Sequence, residues 1–334
     1  MKFWNREKEI KWLKKYLKTE PNAILFIYGP KSSGKSTLLQ KVISDEGLDV
    51  FYYDLRMIPI SSYRDVLSIF FRERGWRERI KEAVPGIASA MSKYFEVDSW
   101  ALRDILELKL NPFEIMEDVL RGRFRRKKKK GYPIIVFDEL QKLKEIYLNS
   151  PNNQRPLINE LFNFFVRLTK VLHISHVIVM TSDTFFIERV YSDSTLESTS
   201  RFYLVDFFND ETTLKILLEE GLSKEDAKYV VEMAGGVPWI LEEVLEENPK
   251  EVINELYKLT LSRIYESTRK RKDLREMLKR AVKGENLYYE EEKIELVKEL
   301  VEKEILFYDP IGRVVRFQNR LYKHAVKEIL KEDT

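Results

Sequence analysis

Residues Gly29-Pro30-Lys31-Ser32-Ser33-Gly34-Lys35-Ser36 match the pattern G-x-x-x-x-G-K-[ST] at every fixed position. The pattern constrains the fold because it needs a strand before the loop and a helix after it. Only a helix opening at Lys35 aims its unsatisfied N–H groups and its dipole at one point. Both flanks comply: Ala23–Tyr28 is an apolar run ending at Gly29, and Ser36–Ile43 has helical spacing. Gly29 and Gly34 allow the turn that converges backbone N–H groups on phosphate oxygens. The residues Gly29, Pro30, Lys31, Ser32, Ser33, Gly34, Lys35, Ser36 and Thr37 therefore read as a nucleotide cradle. Lys35 should reach the β- and γ-phosphates, Ser36 should ligand magnesium, and Thr37 should bond the α-phosphate.

The second half of such a site is Ile134-Ile135-Val136-Phe137-Asp138-Glu139. Four apolar residues mark a buried strand, and Asp138 leaves its carboxyl end. One carboxylate there suits the magnesium shell. The adjacent Glu139 suits a general base for the attacking water. An Asp-Glu pair points to ATP hydrolysis. No Asn-Lys-x-Asp guanine reader occurs in the chain.

Three further apolar runs end in polar residues: Val50–Tyr53, Val177–Met180 and Phe202–Val205. With helical patterns at Ser62–Arg72, Pro112–Leu120 and Pro156–Leu172 between the runs, the reading is an α/β fold with a doubly wound, parallel, five-stranded sheet. Ligands of such sheets lie beyond the strands' carboxyl ends. Residues 1–208 form this core, with a helical insertion at about 57–130. Residues 209–260 read as a helical lid. Residues 261–334 read as a winged-helix domain, with a hairpin turned at Asp309-Pro310-Ile311-Gly312. The opening helix, Asn5 to Lys18, is expected to be capped by Asn5.

Bulk properties exclude more than they assign. Lys+Arg is 58 and Asp+Glu is 55, a net charge of +3, so overall charge gives no reason to expect nucleic acid. Without cysteine there is no disulfide framework and no thiolate metal site. The N-terminus is charged, and no apolar run is long enough for a membrane span, which leads to the expectation of a cytoplasmic protein without a membrane partner.

With these motifs in hand, the chain resembles the archaeal ATPases of the AAA+/STAND group of P-loop ATPases. The resemblance rests on Phe3-Trp4-Asn5-Arg6-Glu7-Lys8-Glu9, on Asp138-Glu139-Leu140-Gln141 and on Gly235-Gly236-Val237-Pro238-Trp239. It implies that Asn5 and Arg6 lie near the adenine, and that Pro238 brings the lid onto the nucleotide. It also implies that Ser182, in Thr181-Ser182-Asp183, senses the γ-phosphate or the water. Arg201, with Arg189 as the second candidate, would be a γ-phosphate sensor or an arginine finger. A finger supplied by another copy would require self-association. The implied ligands are ATP or ADP with Mg2+, and the implied activity is an ATP-driven switch of lid and winged helix toward a protein partner.

The alternative partner is nucleic acid. Arg121–Lys130 reads RGRFRRKKKK and is expected to be a solvated loop at the amino edge of the sheet. Against it stands the helix expected over Glu290–Glu304, whose glutamates would be repelled by a phosphate-lined groove. Protein is the preferred partner.

Overall fold

A computed structural model describes residues 3–56, 59–70, 111–127, 131–150, 153–194, 196–289 and 291–332. The core opens with α1 (Glu7–Lys18), β1 (Ile24–Tyr28), α2 (Lys35–Glu46) and β2 (Val50–Asp54). The insertion contributes α3 (Tyr63–Phe70) and α4 (Pro112–Lys127); its centre, 71–110, lies outside the described residues. Next come β3 (Ile134–Asp138), a small antiparallel hairpin of β4 (Tyr147–Ser150) and β5 (Asn153–Pro156), and α5 (Leu157–Val166). The core closes with β6 (His176–Thr181), α6 (Thr184–Tyr191) and β7 (Ser200–Leu204). The five long strands are parallel in the order β2-β3-β6-β1-β7.

The burial pattern explains which strands were legible. Every residue of β1, β3 and β6 is buried, because helices cover both faces. The edge strands differ: β2 alternates buried and half-buried residues, and β7 is half-open throughout. One face packs Phe26, Phe51 and Phe137 beneath α3 to α5, against Phe165 of α5. The other packs Leu25, Ile27 and Val136 under Leu13, Leu17, Leu38 and Leu39 of α1 and α2.

At the amino end of the sheet, His176 is fully buried, with Nε2 3.2 Å from Leu17 O and 3.1 Å from Thr19 O. Two carbonyls fix Nε2 as the protonated nitrogen. Burial outweighs these contacts and pushes the imidazole pKa down to about 4. The unfolded chain therefore binds this proton first, from about pH 6.5 downward. Stability from this group is complete above pH 6.5 and is lost as the pH falls toward 4, by up to about 3 kcal/mol. Thermal melts of wild type and His176→Gln at pH 7 and pH 4.5 should differ by that extra acid sensitivity in the wild type.

Beyond β7, α7 (Asp210–Glu219), α8 (Lys224–Met233), α9 (Pro238–Glu246) and the first half of α10 (Pro249–Thr268) share a core around Leu217, Val230, Ile240 and Ile253. The second half of α10 joins α11 (Lys272–Val282), α12 (Ile294–Glu302), the β8–β9 hairpin (Leu306–Asp309, Val314–Phe317) and α13 (Arg320–Glu332). Their core contains Ile264, Met277, Leu300 and Tyr308. This is the helix, helix, hairpin order of a winged helix. At the turn, Asp309 Oδ1 accepts from the N–H groups of Ile311 and Gly312.

Three local expectations are corrected. Asn5 does not cap α1: it is exposed with φ +32°, and Arg6 occupies the cap position. The boundary between residues 260 and 261 falls inside α10, which runs unbroken through it and packs into both C-terminal cores. The described part of the basic block is the end of α4, not a loop. Arg121 is bonded to Glu117, and Arg123 pairs with Asp49 and lies 4.3 Å over the Phe51 ring. Lys128–Lys130 lie outside the described residues. Lastly, the acidic helix is shorter than expected, Ile294–Glu302, because Glu291–Lys293 forms a 3-10 turn ahead of it.

Candidate nucleotide-binding site

The loop after β1 is shaped by steric necessity. Gly29 has φ +150°, and a Cβ there would lie 2.2 Å from Val205 O, so only glycine lets the loop pass the end of β7. Gly34, at φ +89°, caps α2, and a Cβ on it would meet only open space, the hollow above the loop. Lys35 is buried and donates to Pro30 O at 2.8 Å and Gly29 O at 3.1 Å. Burial pushes its pKa down to about 8, against the pull of Glu139 and Asp138 and with help from Arg56. Ser33 Oγ is buried without a hydrogen-bond partner. A buried ammonium, an orphaned hydroxyl and a helix N-terminus around one hollow fit an anion such as a polyphosphate.

Sheet order brings the carboxylates to this loop. β6 lies between β1 and β3, and Asp138 at the end of β3 faces Ser36 at 3.2 Å. Asp138 Oδ2 also accepts from Tyr52 at 3.0 Å and Arg56 at 2.7 Å. A serine hydroxyl beside a buried carboxylate is the donor set that suits a hydrated magnesium ion. Glu139 turns out of the strand at φ +65°, its N–H bonded to Met180 O. Its carboxylate accepts from Gln141 Nε2, and Ser182 Oγ lies 3.4 Å away. Gln141 in turn accepts from Thr181 at 2.9 Å. Glu139 is thus held by side chains from two strand ends.

The far side is aromatic. Arg6 donates to Ser33 O at 2.8 Å and Asp206 O at 2.7 Å, pairs with Glu9, and lies 4.4 Å over the Phe208 ring. Trp4, Phe208, Pro238 and Trp239 complete a cavity of about 270 Å³ that reaches from Asp138 to the lid. Pro238 starts α9 at its first turn, where a missing N–H does no harm.

The structure gathers Arg6, Ser32 to Thr37, Asp138, Glu139, Ser182 and Pro238 around this one cavity. Lys31 lines it too, but its ammonium reaches Glu304 at 2.7 Å, next to α12. Pro30 and Arg189 instead line a neighbouring cleft, of about 340 Å³, between the core and the C-terminal hairpin. Asn5 points away. Arg201 does not line this cavity: it pairs with Leu25 in the amino half of β7, its guanidinium 5.9 Å from the Tyr16 ring. Trp4, Tyr52, Arg56, Phe208 and Trp239 were not singled out. The aromatic residues beside Arg6 and Pro238 were the available signal.

A parallel sheet of this order, with a glycine-rich loop on an inner strand and an Asp-Glu pair two strands away, defines a P-loop nucleoside-triphosphatase frame. Residues 3–244 match the family model described as an ATPase domain predominantly from Archaea. The chain belongs to that family. It is 36% identical to an uncharacterized ATP-binding protein of Methanocaldococcus jannaschii, over 99% of this chain and 95% of that one. It is 37% identical to one of Pyrococcus abyssi, over 98% of each. Among solved structures it is distantly similar to the Aeropyrum pernix ORC2 protein in its ADPNP-ADP complexes. There the TM-score is 0.49 at 13% identity, covering 99% of this chain and 95% of that one.

Proposed function

We propose that this chain binds ATP and hydrolyses it with Mg2+, and that nucleotide state moves the lid and the C-terminal unit to switch a protein partner. The observation that carries the reading is that one cavity is lined both by Ser36, Asp138 and Glu139 and by Pro238 and Trp239 of the lid. A ligand filling it touches both parts, so tri- and diphosphate states can favour different lid positions. The C-terminal unit is tied to the same loop. Lys31 meets Glu304, Tyr28 donates to Asp309 at 2.9 Å, and Arg316 meets Asp206, whose carbonyl holds Arg6.

In this reading the working units are residues 1–208, 209–260 and 261–334, the last two joined through α10, in a cytoplasmic protein. Ser36 and Asp138 would hold the magnesium ion, which supplies charge neutralisation at the phosphates when bound. Lys35 stabilises the β- and γ-oxygens. Glu139, oriented by Gln141 and Ser182, accepts a proton from the water that attacks the γ-phosphorus. The β–γ bridging P–O bond breaks, and ADP leaves with inorganic phosphate as the second product. Trp4, Phe208 and Trp239 offer flat faces for the adenine, with Arg6 beside them. Arg189 and Arg201 act as arginine fingers toward a second copy. A protein partner is favoured over nucleic acid because Arg121 and Arg123 are already paired within the chain.

The purified chain should release phosphate from ATP in Mg2+ and not in EDTA. Its kcat/KM should fall as the pH rises through about 8, where Lys35 loses its proton in the empty site. A rate equal in EDTA would overturn the reading; a rate flat from pH 7 to 9 would mean that Lys35 keeps its proton across that range.

A further inference from the structure

Three donors converge on Asp138 Oδ2, and two of them, Tyr52 and Arg56, come from residues that no motif spacing assigns to the site; Arg56 is the charged one. Arg56 follows β2 by two residues. Its Nε and Nη2 reach Asp54 Oδ1 and Oδ2 at 2.9 and 3.1 Å, and Nη2 also reaches Asp138 at 2.7 Å. The two partners of the second contact are unlike. Asp138 is buried at the end of a central strand, whereas the Arg56 side chain is 50% exposed. The arginine is therefore the partner free to move.

A buried carboxylate without a counter-charge is costly, and Arg56 supplies that charge. The same oxygen faces Ser36 and the phosphate hollow, where the metal shell is expected. A carboxylate oxygen has about two lone-pair directions, and Ser36, Tyr52 and Arg56 already share them. A guanidinium and a hydrated divalent ion cannot both occupy that face.

We propose that Arg56 is the counter-ion that closes Asp138 in the nucleotide-free chain, that magnesium with nucleotide displaces it, and that Asp54 then retains it beside the terminal phosphate. Arg56 is on this account a positioning residue: it keeps the metal-binding carboxylate satisfied and in place until the metal arrives. The inference rests on the proposed reading of the cavity as a magnesium–ATP site. It adds an exchange of one cation for another on a named oxygen, and a preference for triphosphate over diphosphate from a residue outside the cradle.

The test uses the full chain and ADP as probe, measuring the dissociation constant in Mg2+ and in EDTA. The ratio of the two is the metal enhancement. Arg56→Gln should raise it by about fivefold, the scale of a charge-assisted contact to a half-exposed partner. Asp54→Asn should lower it, because the arginine loses its other anchor and stays on Asp138, and Arg56→Lys should stay near wild type. Loop damage alone would not raise the ratio, so the sign separates displacement from misfolding. Arg56→Gln should also narrow the preference for a non-hydrolysable ATP analogue over ADP. An unchanged or smaller ratio in Arg56→Gln, with the wild type binding ADP normally, overturns the exchange. An unchanged analogue preference overturns the retained contact to phosphate. A wild type that binds ADP in neither buffer overturns the reading of the site itself.

Discussion

Glu139→Gln is expected to lower steady-state ATP hydrolysis by about 10²–10⁴-fold, the usual contribution of a positioned general base, while nucleotide affinity stays within about threefold. The substitution preserves shape and removes only the ability to take a proton. Its amide oxygen can still accept from Ser182 or from a reoriented Gln141, so the network at the end of β3 and β6 need not collapse. The backbone is the second safeguard. Position 139 sits at φ +65°, with its N–H bonded to Met180 O, and glutamine meets that conformation no worse than glutamate. Lys35→Ala should behave differently. It deletes a buried cation whose contacts are loop carbonyls, so both affinity and turnover should fall. Single-turnover phosphate release together with ADP binding separates the two. If Glu139→Gln hydrolyses within tenfold of wild type, water activation does not reside at Glu139.

The contrast between the central and edge strands explains how much of this was readable in sequence. β1, β3 and β6 are buried along their whole length, so their apolar runs stand out without any partner information. The cradle is equally legible because its chemistry is local: the glycines, lysine and serine act within one loop. Arg56 could not be seen, since it reaches Asp138 only because β2 pairs with β3 in a register that puts Asp54 opposite Asp138. That pairing is a property of the sheet. The position of Arg201 is likewise set by the sheet: β7 runs from Ser200 to Leu204, so the arginine lies inside the strand near its amino end rather than in the loop before it. The basic block looked like a loop because charge density was weighed above helical continuity from Pro112. In the structure Arg123 lies over an aromatic ring and pairs with Asp49, and Arg121 pairs with Glu117.

The same lesson, that a local motif can hide a long-range contact, gives the largest expected effect on stability. Gly235-Gly236 reads as a turn between helices, and the two glycines would then be interchangeable. They are not. Gly235 has φ +70°, and an added Cβ would meet only the flexible side chain of Arg320 at 3.5 Å. Gly235→Ala should therefore carry mainly the backbone penalty, on the order of 1 kcal/mol. Gly236 is a contact point. Its carbonyl accepts from Phe208 N at 2.9 Å, and a Cβ there would stand 2.1 Å from Phe208 O and 2.5 Å from Thr213 Oγ1. Backbone cannot yield as a side chain does, so Gly236→Ala should destabilise the protein by about 2–4 kcal/mol. The displacement falls on Phe208, which lies under Arg6 and lines the aromatic end of the cavity. Gly236→Ala should therefore weaken ADP binding as well, whereas Gly235→Ala should not. Thermal unfolding and ADP titration of the two variants side by side decide the matter. Equal losses in both would mean that the lid meets the core through turn geometry alone, without the close approach at Phe208.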